Sequence, residues 1–138
     1  MTEGMAERGR GYRGLFAFKK ARELAAEVIR ITEGYPKSEI YGTVSQMRRA
    51  ALSIASNIAE GARRGSRPEF IRFLRIAYGS CGELDAQAQV SRDAEWIDEA
   101  AFSHLEALIN DVSGLIWLLM EAIRQKKRRS EQVDKLTS

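Results

Sequence analysis

Apolar residues recur at alternating spacings of four and three between residues 40 and 58, a period that is typical of one face of an α-helix. They are Ile40, Val44, Met47, Ala51, Ile54 and Ile58. A separate polar stripe with the same spacing is formed by Arg49, Ser53, Asn57 and Glu60. Small alanine and serine side chains occupy much of the remaining helix surface. The pattern therefore predicts a helix that other helices approach closely from several sides.

Three further segments carry the same period, and no segment alternates as a half-buried strand does. We predict helices at about residues 16–33, 38–62, 66–92 and 98–125. Gly34 is placed to end the first helix, Ser66 and Glu69 form a capping box before the third, and Asp98 is a candidate cap for the fourth. Because short links force neighbouring helices to run antiparallel, the prediction is an all-α, up-down-up-down antiparallel four-helix bundle.

The length of 138 residues fits one domain with a substantial core. We expect a flexible basic N-terminal tail at 1–14, the bundle at 15–125 and a charged C-terminal tail at 126–138. The single cysteine, Cys81, cannot form an internal disulfide. No secretory leader is evident, and the longest apolar run is far shorter than the roughly 20 residues of a membrane span. A cytoplasmic protein without a membrane segment is expected.

The formal net charge of +3 is the sum of unlike parts. Residues 48–75 have a net charge of +5, whereas residues 83–121 have a net charge of −8. In an antiparallel bundle the start of helix one, the link between helices two and three and the end of helix four lie at one end, where the basic residues concentrate. The candidate nucleic-acid-binding residues are Lys19, Lys20, Arg22, Arg63, Arg64, Arg67, Arg72, Arg124, Lys126, Lys127, Arg128 and Arg129.

A clustered basic surface is the expected footprint of a protein that binds RNA or DNA, since each neutralised phosphate releases counterions. Two alternatives account for the same charge pattern without nucleic acid. In the first, helix dipoles favour cations at the C-terminal ends of helices two and four, and terminal bases keep a tail solvated. In the second, basic and acidic ends of neighbouring subunits face each other in an assembly.

Several motifs carry a resemblance to a known family. They are FKKARELAAEVIRIT, a Tyr-Pro-x-x-Glu turn, QMRRAALSIASNIAEGARR and EFIRFLRIAYGSCGELDAQ. Over about Phe16 to Ile123 the chain resembles the bacterial four-helix bundle proteins encoded in intervening sequences of large-subunit rRNA genes, a family that is similar to the accessory variability proteins of diversity-generating retroelements. The resemblance implies a ring-like homopentamer, nucleic-acid binding in an accessory role, and a protein partner such as a reverse transcriptase.

The same resemblance marks recurring polar and small positions in helices two and three. They are Arg48, Arg49, Asn57, Glu60, Gly79, Ser80 and Glu83. From the spacing, Asn57 and Glu60 are expected to accept hydrogen bonds from Arg49 or Arg75 and so lock the two helices in register. We interpret these residues as a structural network or an interface. A catalytic site formed between subunits by Arg49, Asn57 and Glu60 is a weaker alternative.

No other pattern points to catalysis or to a cofactor. His104 is the only histidine, and neither Glu106 nor Asp111 has the i+3 or i+4 spacing that would pair it on its own helix. Cys81 falls on an apolar helix face, where a small core residue is expected. The glycines form no phosphate-binding loop. We therefore predict no catalytic residue, no metal, no cofactor and no enzyme.

Helix four carries apolar residues outside its main inward series, namely Ile109, Ile116, Leu118 and Ile123. We expect them to be exposed on the single subunit and to form a subunit interface. The leading hypothesis is thus a homo-oligomeric, non-enzymatic protein that binds nucleic acid through its basic end. The alternative is a homo-oligomeric scaffold or protein-docking module with no nucleic-acid ligand.

Overall fold

The computed structural model describes residues 15–137. The helices are α1 (Phe16–Thr32), α2 (Ser45–Arg63), α3 (Arg67–Asp93) and α4 (Glu99–Thr137). A 3₁₀ turn (Lys37–Glu39) and a π-helical turn (Ile40–Val44) lead into α2. Since this part of the chain contains no strand, the predicted all-α four-helix architecture is confirmed.

Side-chain contacts give the relative direction of the helices. Between α1 and α2, Thr32 contacts Arg48. Between α2 and α3, Met47 contacts Ser91, and Ser53 contacts Ser80. Between α3 and α4, Arg92 contacts Phe102, and Arg67 contacts Ser130. Rising residue numbers on one helix meet falling numbers on the next. Each helix therefore packs antiparallel to its neighbour in the chain, and α1 also packs against α4.

One hydrophobic core lies between the four helices. Its fully buried side chains include Leu24, Met47, Ile54, Leu84 and Leu105. Val44, Met47, Ala51, Ile54 and Ile58 of the predicted apolar series are buried, so the periodicity located the inner face of α2 correctly. Hydrophobic burial between the four helices is the main source of stability in such a bundle.

The prediction that four apolar residues of α4 are exposed is wrong for three of them. Ile109, Ile116 and Ile123 are buried in the core, whereas Leu118 has 65% of its surface exposed. The reason is that α4 contacts both α1 and α3, and a helix with two neighbours buries a wider apolar stripe than one inward series. The three isoleucines therefore do not supply a free apolar surface on the subunit.

The segment before α2 also differs from the prediction of a helix from residue 38. Gly42 has φ −110° and ψ −110°, which interrupts the helix, and Ile40 is half exposed instead of buried. The Glu39 carboxylate accepts hydrogen bonds from the backbone N–H and the hydroxyl of Thr43, at 3.3 and 3.1 Å. A Cβ at Gly42 would lie 2.8 Å from Glu39 Oε2, so a larger residue would displace this carboxylate from its hydrogen bonds to Thr43.

The predicted caps of α3 and α4 are present. Ser66 Oγ accepts a hydrogen bond from the backbone N–H of Glu69 at 3.3 Å, and Asp98 Oδ1 accepts one from that of Ala101 at 2.7 Å. Both side chains satisfy a backbone donor that the first turn of a helix leaves without a partner. The starts of these two helices could thus be predicted from single residues.

The end of α4 lies beyond the predicted boundary at residue 125. The helix continues to Thr137, and every side chain from Gln125 to Thr137 is exposed. This segment, which we call the α4 extension, was expected to be a tail. The predicted N-terminal tail, with Arg8, Arg10, Tyr12 and Arg13, lies outside the described residues. Within residues 15–137, no helix is long and apolar enough to cross a membrane.

Candidate nucleic-acid interface at the basic end

The link between α2 and α3 holds the centre of the predicted basic end. Gly65 has φ 79°, a left-handed conformation that glycine adopts without strain, and this turn reverses the chain within a few residues. At Gly61 the two helices approach closely, because an added Cβ would lie 2.8 Å from Phe73 Cβ and 3.2 Å from the carbonyl oxygen of Phe70. The arginines on both sides of the link are therefore held near each other.

Two of these arginines lie over the ring of Phe73. The guanidinium carbons of Arg64 and Arg72 are 5.0 and 4.6 Å from its centroid, distances at which a cation and an aromatic ring attract each other. Arg64 also pairs with Glu60 at 2.8 Å, and Arg72 with Glu69 at 3.3 Å. Since all four ionic side chains are at least two-fifths exposed, solvent screens both pairs.

Arg67 connects the link to α4. Its Nη1 donates a hydrogen bond to Ser130 Oγ at 3.3 Å, so the first residue of α3 lies beside the α4 extension. Arg63 and Arg67 are exposed and have no carboxylate within 4.0 Å in the part of the chain that the structure describes. The structure thus brings the predicted bases of α2, α3 and α4 to one end.

The α4 bases divide into two groups. Arg124 pairs with Glu121 at 2.8 Å, and its guanidinium lies 5.9 Å from the ring centroid of Trp117. The exposed run Lys126, Lys127, Arg128 and Arg129 follows directly. Between residues 15 and 137 no carboxylate lies within 4.0 Å of this run. Four neighbouring cations that have no carboxylate partner among the described residues produce a strongly positive surface.

Among residues 15–137, the ion pair and the cation–ring contacts of the predicted α1 bases lie within α1 itself. Lys20 pairs with Glu23 at 3.2 Å, while Lys19 lies over Phe16 and Arg22 over Phe18 at 5.7 and 5.9 Å from the ring centroids. Antiparallel packing of α1 on α2 places the start of α1 at the same end as the link. Within the described part of the chain, no hydrogen bond or shared carboxylate connects these three bases to those of the other helices.

The predicted polar network of α2 and α3 has different partners from those expected. Asn57 Nδ2 donates to the carbonyl oxygen and the hydroxyl of Ser53 at 2.8 and 3.0 Å, and Ser53 Oγ lies 3.1 Å from Ser80 Oγ. The expected hydrogen bonds from Arg49 or Arg75 to Asn57 and Glu60 are absent among the described residues. Ser53 and Ser80 therefore form a polar contact between these helices, in addition to the one from Ser91 Oγ to Met47 Sδ at 3.6 Å.

Of the other residues in that predicted set, Arg48 has a structural role and the rest are exposed. Arg48 donates to Thr32 Oγ1 at 3.0 Å and to the carbonyl oxygen of Ile29 at 3.2 Å, and so satisfies the C-terminal end of α1. The remaining members are exposed on the single subunit. They are Arg49, Glu60, Arg75, Gly79 and Glu83.

Two residues considered for catalysis have clear surroundings. His104 Nε2 lies 3.8 Å from Glu27 Oε1. This carboxylate belongs to α1, so residue spacing along the histidine's own helix does not indicate it. Cys81 is buried, and burial raises the pKa of its thiol to about 12, which keeps the thiol protonated at neutral pH. Across residues 15–137, no group of three or more metal-ligating side chains could hold a metal ion.

Most of the chain matches a known protein family. The sequence pattern of the family described as "23S rRNA-intervening sequence protein" matches residues 13–117, which include α1, α2, α3 and the first half of α4. The chain belongs to this family. The bases from Arg124 to Arg129 lie beyond the matched residues, so membership in the intervening-sequence family bears on the bundle and not on that run.

A solved structure agrees with this membership. It is a protein of unknown function from the S23 ribosomal protein family of Bacteroides thetaiotaomicron, with a TM-score of 0.71 and 20% sequence identity. The match covers 76% of this chain and 95% of the Bacteroides protein, and at that identity it establishes the fold alone. No curated protein matches the chain. The predicted relation of this member of the intervening-sequence family to retroelement accessory proteins stays a prediction.

Proposed function

We propose that this protein is a non-enzymatic, homo-oligomeric nucleic-acid-binding protein whose basic end contacts the phosphates of RNA or DNA. The observation that carries the proposal is where the cations lie on the helices. Arg67 is the first residue of α3, and Lys19 lies in the first turn of α1, which contains no acidic residue. A helix dipole makes these positions unfavourable for a positive charge, so dipole compensation does not explain them.

The lack of carboxylate partners supports the same proposal. A charge that only keeps a surface solvated is usually interspersed with opposite charge. The run from Lys126 to Arg129 instead contains four cations in sequence, and Arg63 and Arg67 have no carboxylate partner between residues 15 and 137. Phosphate groups would supply the missing negative charge and release condensed counterions on binding.

RNA is the first ligand to test. The family description contains the words 23S rRNA, and the Bacteroides protein is described as a member of a ribosomal protein family. Affinity for a structured RNA, a single-stranded RNA and a DNA duplex should be measured across a salt series. Binding is expected to weaken linearly on a log–log plot, because each contacted phosphate contributes a slope of about −0.9 on duplexes and about −0.7 on single strands.

The decisive variant is Arg63→Ala, Arg64→Ala and Arg67→Ala together, which should reduce the magnitude of the salt slope by about 2 to 3. A charge-matched control replaces three exposed cations away from the basic end, Arg30, Lys37 and Arg49, by alanine. The control should retain the slope and the affinity. Equal losses in both triple variants, or no binding at low salt, would overturn the proposal.

A second candidate function is a homo-oligomeric scaffold or protein-docking module. One observation favours it: a surface groove of about 640 Å³ on the outer face of α2 is lined by exposed apolar side chains of Ile40, Tyr41 and Leu52. Tyr41 has 96% of its surface exposed. Light scattering on the protein and on Leu52→Glu tests this function, and a pentamer that dissociates in the variant, without any nucleic-acid binding, would establish the scaffold.

A further inference from the structure

The exposed seam between α3 and α4 contains a pair of aromatic rings. The ring centroids of Tyr78 and Trp117 are 5.9 Å apart with an angle of 47° between the planes, and the two residues are 41% and 48% exposed. Core aromatic residues of this protein, such as Phe102, are almost completely covered. A tyrosine and a tryptophan in contact and half open to solvent therefore present ring surface that the fold does not use.

A small cavity adjoins this aromatic pair on the same seam. It measures about 150 Å³ and is lined by Tyr78, Cys81, Gly82, Asp85, Ile109, Asn110 and Ser113. The side chains of Cys81 and Ile109 are buried and give an apolar floor, whereas Asp85, Asn110 and Ser113 supply hydrogen-bonding groups. Such a site suits one flat heterocycle with polar edges better than a bulky aliphatic side chain.

Gly82, which has no side chain, leaves one side of the cavity open. A Cβ added at Gly82 would meet no atom within 4 Å, so neither close packing nor an unusual φ requires glycine there. Glycine within a helix lowers stability relative to alanine. Gly79, three residues earlier on the exposed side of the same helix, has the same open surroundings and lies outside the cavity.

The seam continues directly into the basic end. On α4, Trp117, Arg124 and Arg128 follow one another at spacings of seven and four, and on α3 Arg75 precedes Tyr78 by three residues, so each series shares one helix face. The Arg124 guanidinium lies 5.9 Å from the Trp117 centroid. Arg72 and Tyr78 are separated by about 9 Å along the helix axis, at 1.5 Å per residue.

We propose that the seam binds an unpaired nucleobase, which stacks on Tyr78 and Trp117 and directs its polar edge into the cavity, while the basic end holds the adjoining phosphates. This inference rests on the proposed function and specifies it: the ligand is single-stranded, or has an unpaired segment. Aromatic side chains stack on any base because every base has a π-face, whereas a base inside a duplex is covered on both faces.

Tryptophan fluorescence tests the stacking directly. The chain has two tryptophans, so Trp96→Phe leaves Trp117 as the single reporter. This variant should be titrated at low salt with a single-stranded oligouridine, with an RNA duplex of the same length and with an abasic oligomer of the same length. Quenching is expected with oligouridine and not with the other two. Binding of oligouridine, detected by fluorescence anisotropy of a labelled strand, without quenching of Trp117 would overturn the inference.

Substitutions provide the second measurement. Trp117→Leu and Tyr78→Leu should each weaken single-strand binding by about fivefold to a hundredfold and leave duplex binding unchanged, whereas Trp117→Phe should retain most of the affinity. Gly82→Leu, whose Cβ would meet no atom within 4 Å, places a side chain at the cavity and should weaken single-strand binding, with Gly79→Leu as its matched control. Equal affinities in all five variants would overturn the inference.

The outcomes separate this inference from the proposed function. If neither single strands nor duplexes bind, both fail. If both bind with a steep salt dependence and the aromatic variants behave like the parent, the basic-end proposal stands and the stacking site fails. A blue shift of Trp117 emission with rising protein concentration, without nucleic acid, would assign the seam to a second copy of the chain and would also overturn the inference.

Discussion

The two ends of the bundle use their charged and aromatic side chains differently. At the end that contains the turns after α1 and α3, Arg48 donates to carbonyl groups of α1, Asp98 caps α4, and Tyr35 packs against Trp96 with ring centroids 5.5 Å apart. At the basic end, Arg63 and Arg67 have no carboxylate partner in the described chain. The first end is closed by its own side chains, whereas the second pairs Arg64 and Arg72 but leaves Arg63 and Arg67 available.

This difference shows how charge can be interpreted in a small helical protein. The end that contains the turns after α1 and α3 has many charges, but several of them already satisfy backbone groups or cover rings. Arg92, for example, covers Phe102 with its guanidinium 4.1 Å from the ring centroid. Such contacts contribute to folding and leave little for a ligand. Charges that do not contribute to folding are better candidates for binding, and four of them lie together in the α4 extension.

The largest expected effect concerns the closed end. Trp96→Ala removes the contact with Tyr35 and part of the core cover, and should lower the free energy of unfolding by about 3 kcal/mol. The half-exposed Trp117→Ala is the matched control and should cost less than about 1 kcal/mol. Urea denaturation measures both. Similar losses in the two variants would contradict the distinction between a closed and an open end.

Arg48→Ala should lower the free energy of unfolding by about 2 kcal/mol, because it removes charged hydrogen bonds and leaves the buried Thr32 hydroxyl and a carbonyl of α1 with fewer partners. The neighbouring Arg49 is exposed and has no such contacts, so Arg49→Ala should change stability by less than about 0.5 kcal/mol. Thermal unfolding followed by circular dichroism distinguishes them. An equally stable Arg48→Ala protein would show that the α1 end needs no arginine.

Gly61 provides a test at the basic end. Gly61→Ala should destabilise the fold by about 1 to 2 kcal/mol, since the new methyl group meets Phe73 and the backbone of Phe70 at short distance. Gly79→Ala, where the methyl group enters open space, should instead stabilise the fold by about 0.5 to 1 kcal/mol. Denaturation midpoints of the two variants should therefore move in opposite directions, and a shift in the same direction would contradict the close approach.

The smallest effect on stability is expected in the α4 extension. Glutamine is a good helix former, so replacing Lys126, Lys127, Arg128 and Arg129 by glutamine should change the free energy of unfolding by less than about 0.5 kcal/mol. The same variant should bind RNA with a smaller salt slope. Loss of stability together with unchanged binding would reverse the comparison between the two ends.

The number and limits of the helices could largely be predicted from the sequence. Apolar residues at helical spacing indicated all four helices, and Ser66 and Asp98 indicated where two of them begin. The end of α4 could not be found in this way. Beyond Ile123 few apolar residues remain to show a period, although the helix continues to Thr137.

Packing between helices was harder to predict than the helices themselves. The periodicity of α4 suggested one inward series and an exposed remainder, whereas contact with two neighbours buries Ile109, Ile116 and Ile123 as well. The partners in polar contacts were still harder to predict. The spacing that placed Asn57 near Arg49 was correct for one helix face, but the hydrogen bond goes to Ser53 because side-chain rotamers, which spacing does not specify, decide the partner.

The candidate site could be predicted as a region and not as a set of contacts. Antiparallel packing follows from short links, and it was enough to bring Arg67 toward the end of α4. The roles of Phe73 beneath two guanidinium groups and of Trp117 beside Tyr78 were missed. Phe73 and Trp117 have ordinary core spacing in the sequence, which shows neither that arginine side chains cover the ring of Phe73 nor that Trp117 is half exposed beside Tyr78.

The close approach of α2 and α3 at Gly61 has a consequence for recognition. Because backbone and ring atoms meet there without intervening side chains, the backbone positions of the cations that flank the link keep a fixed separation before any ligand arrives. The entropy of arranging them is lost when the chain folds and is not lost again on association. Such a preorganised surface discriminates by the interval between negative groups, so partners with a matching repeat gain most from it.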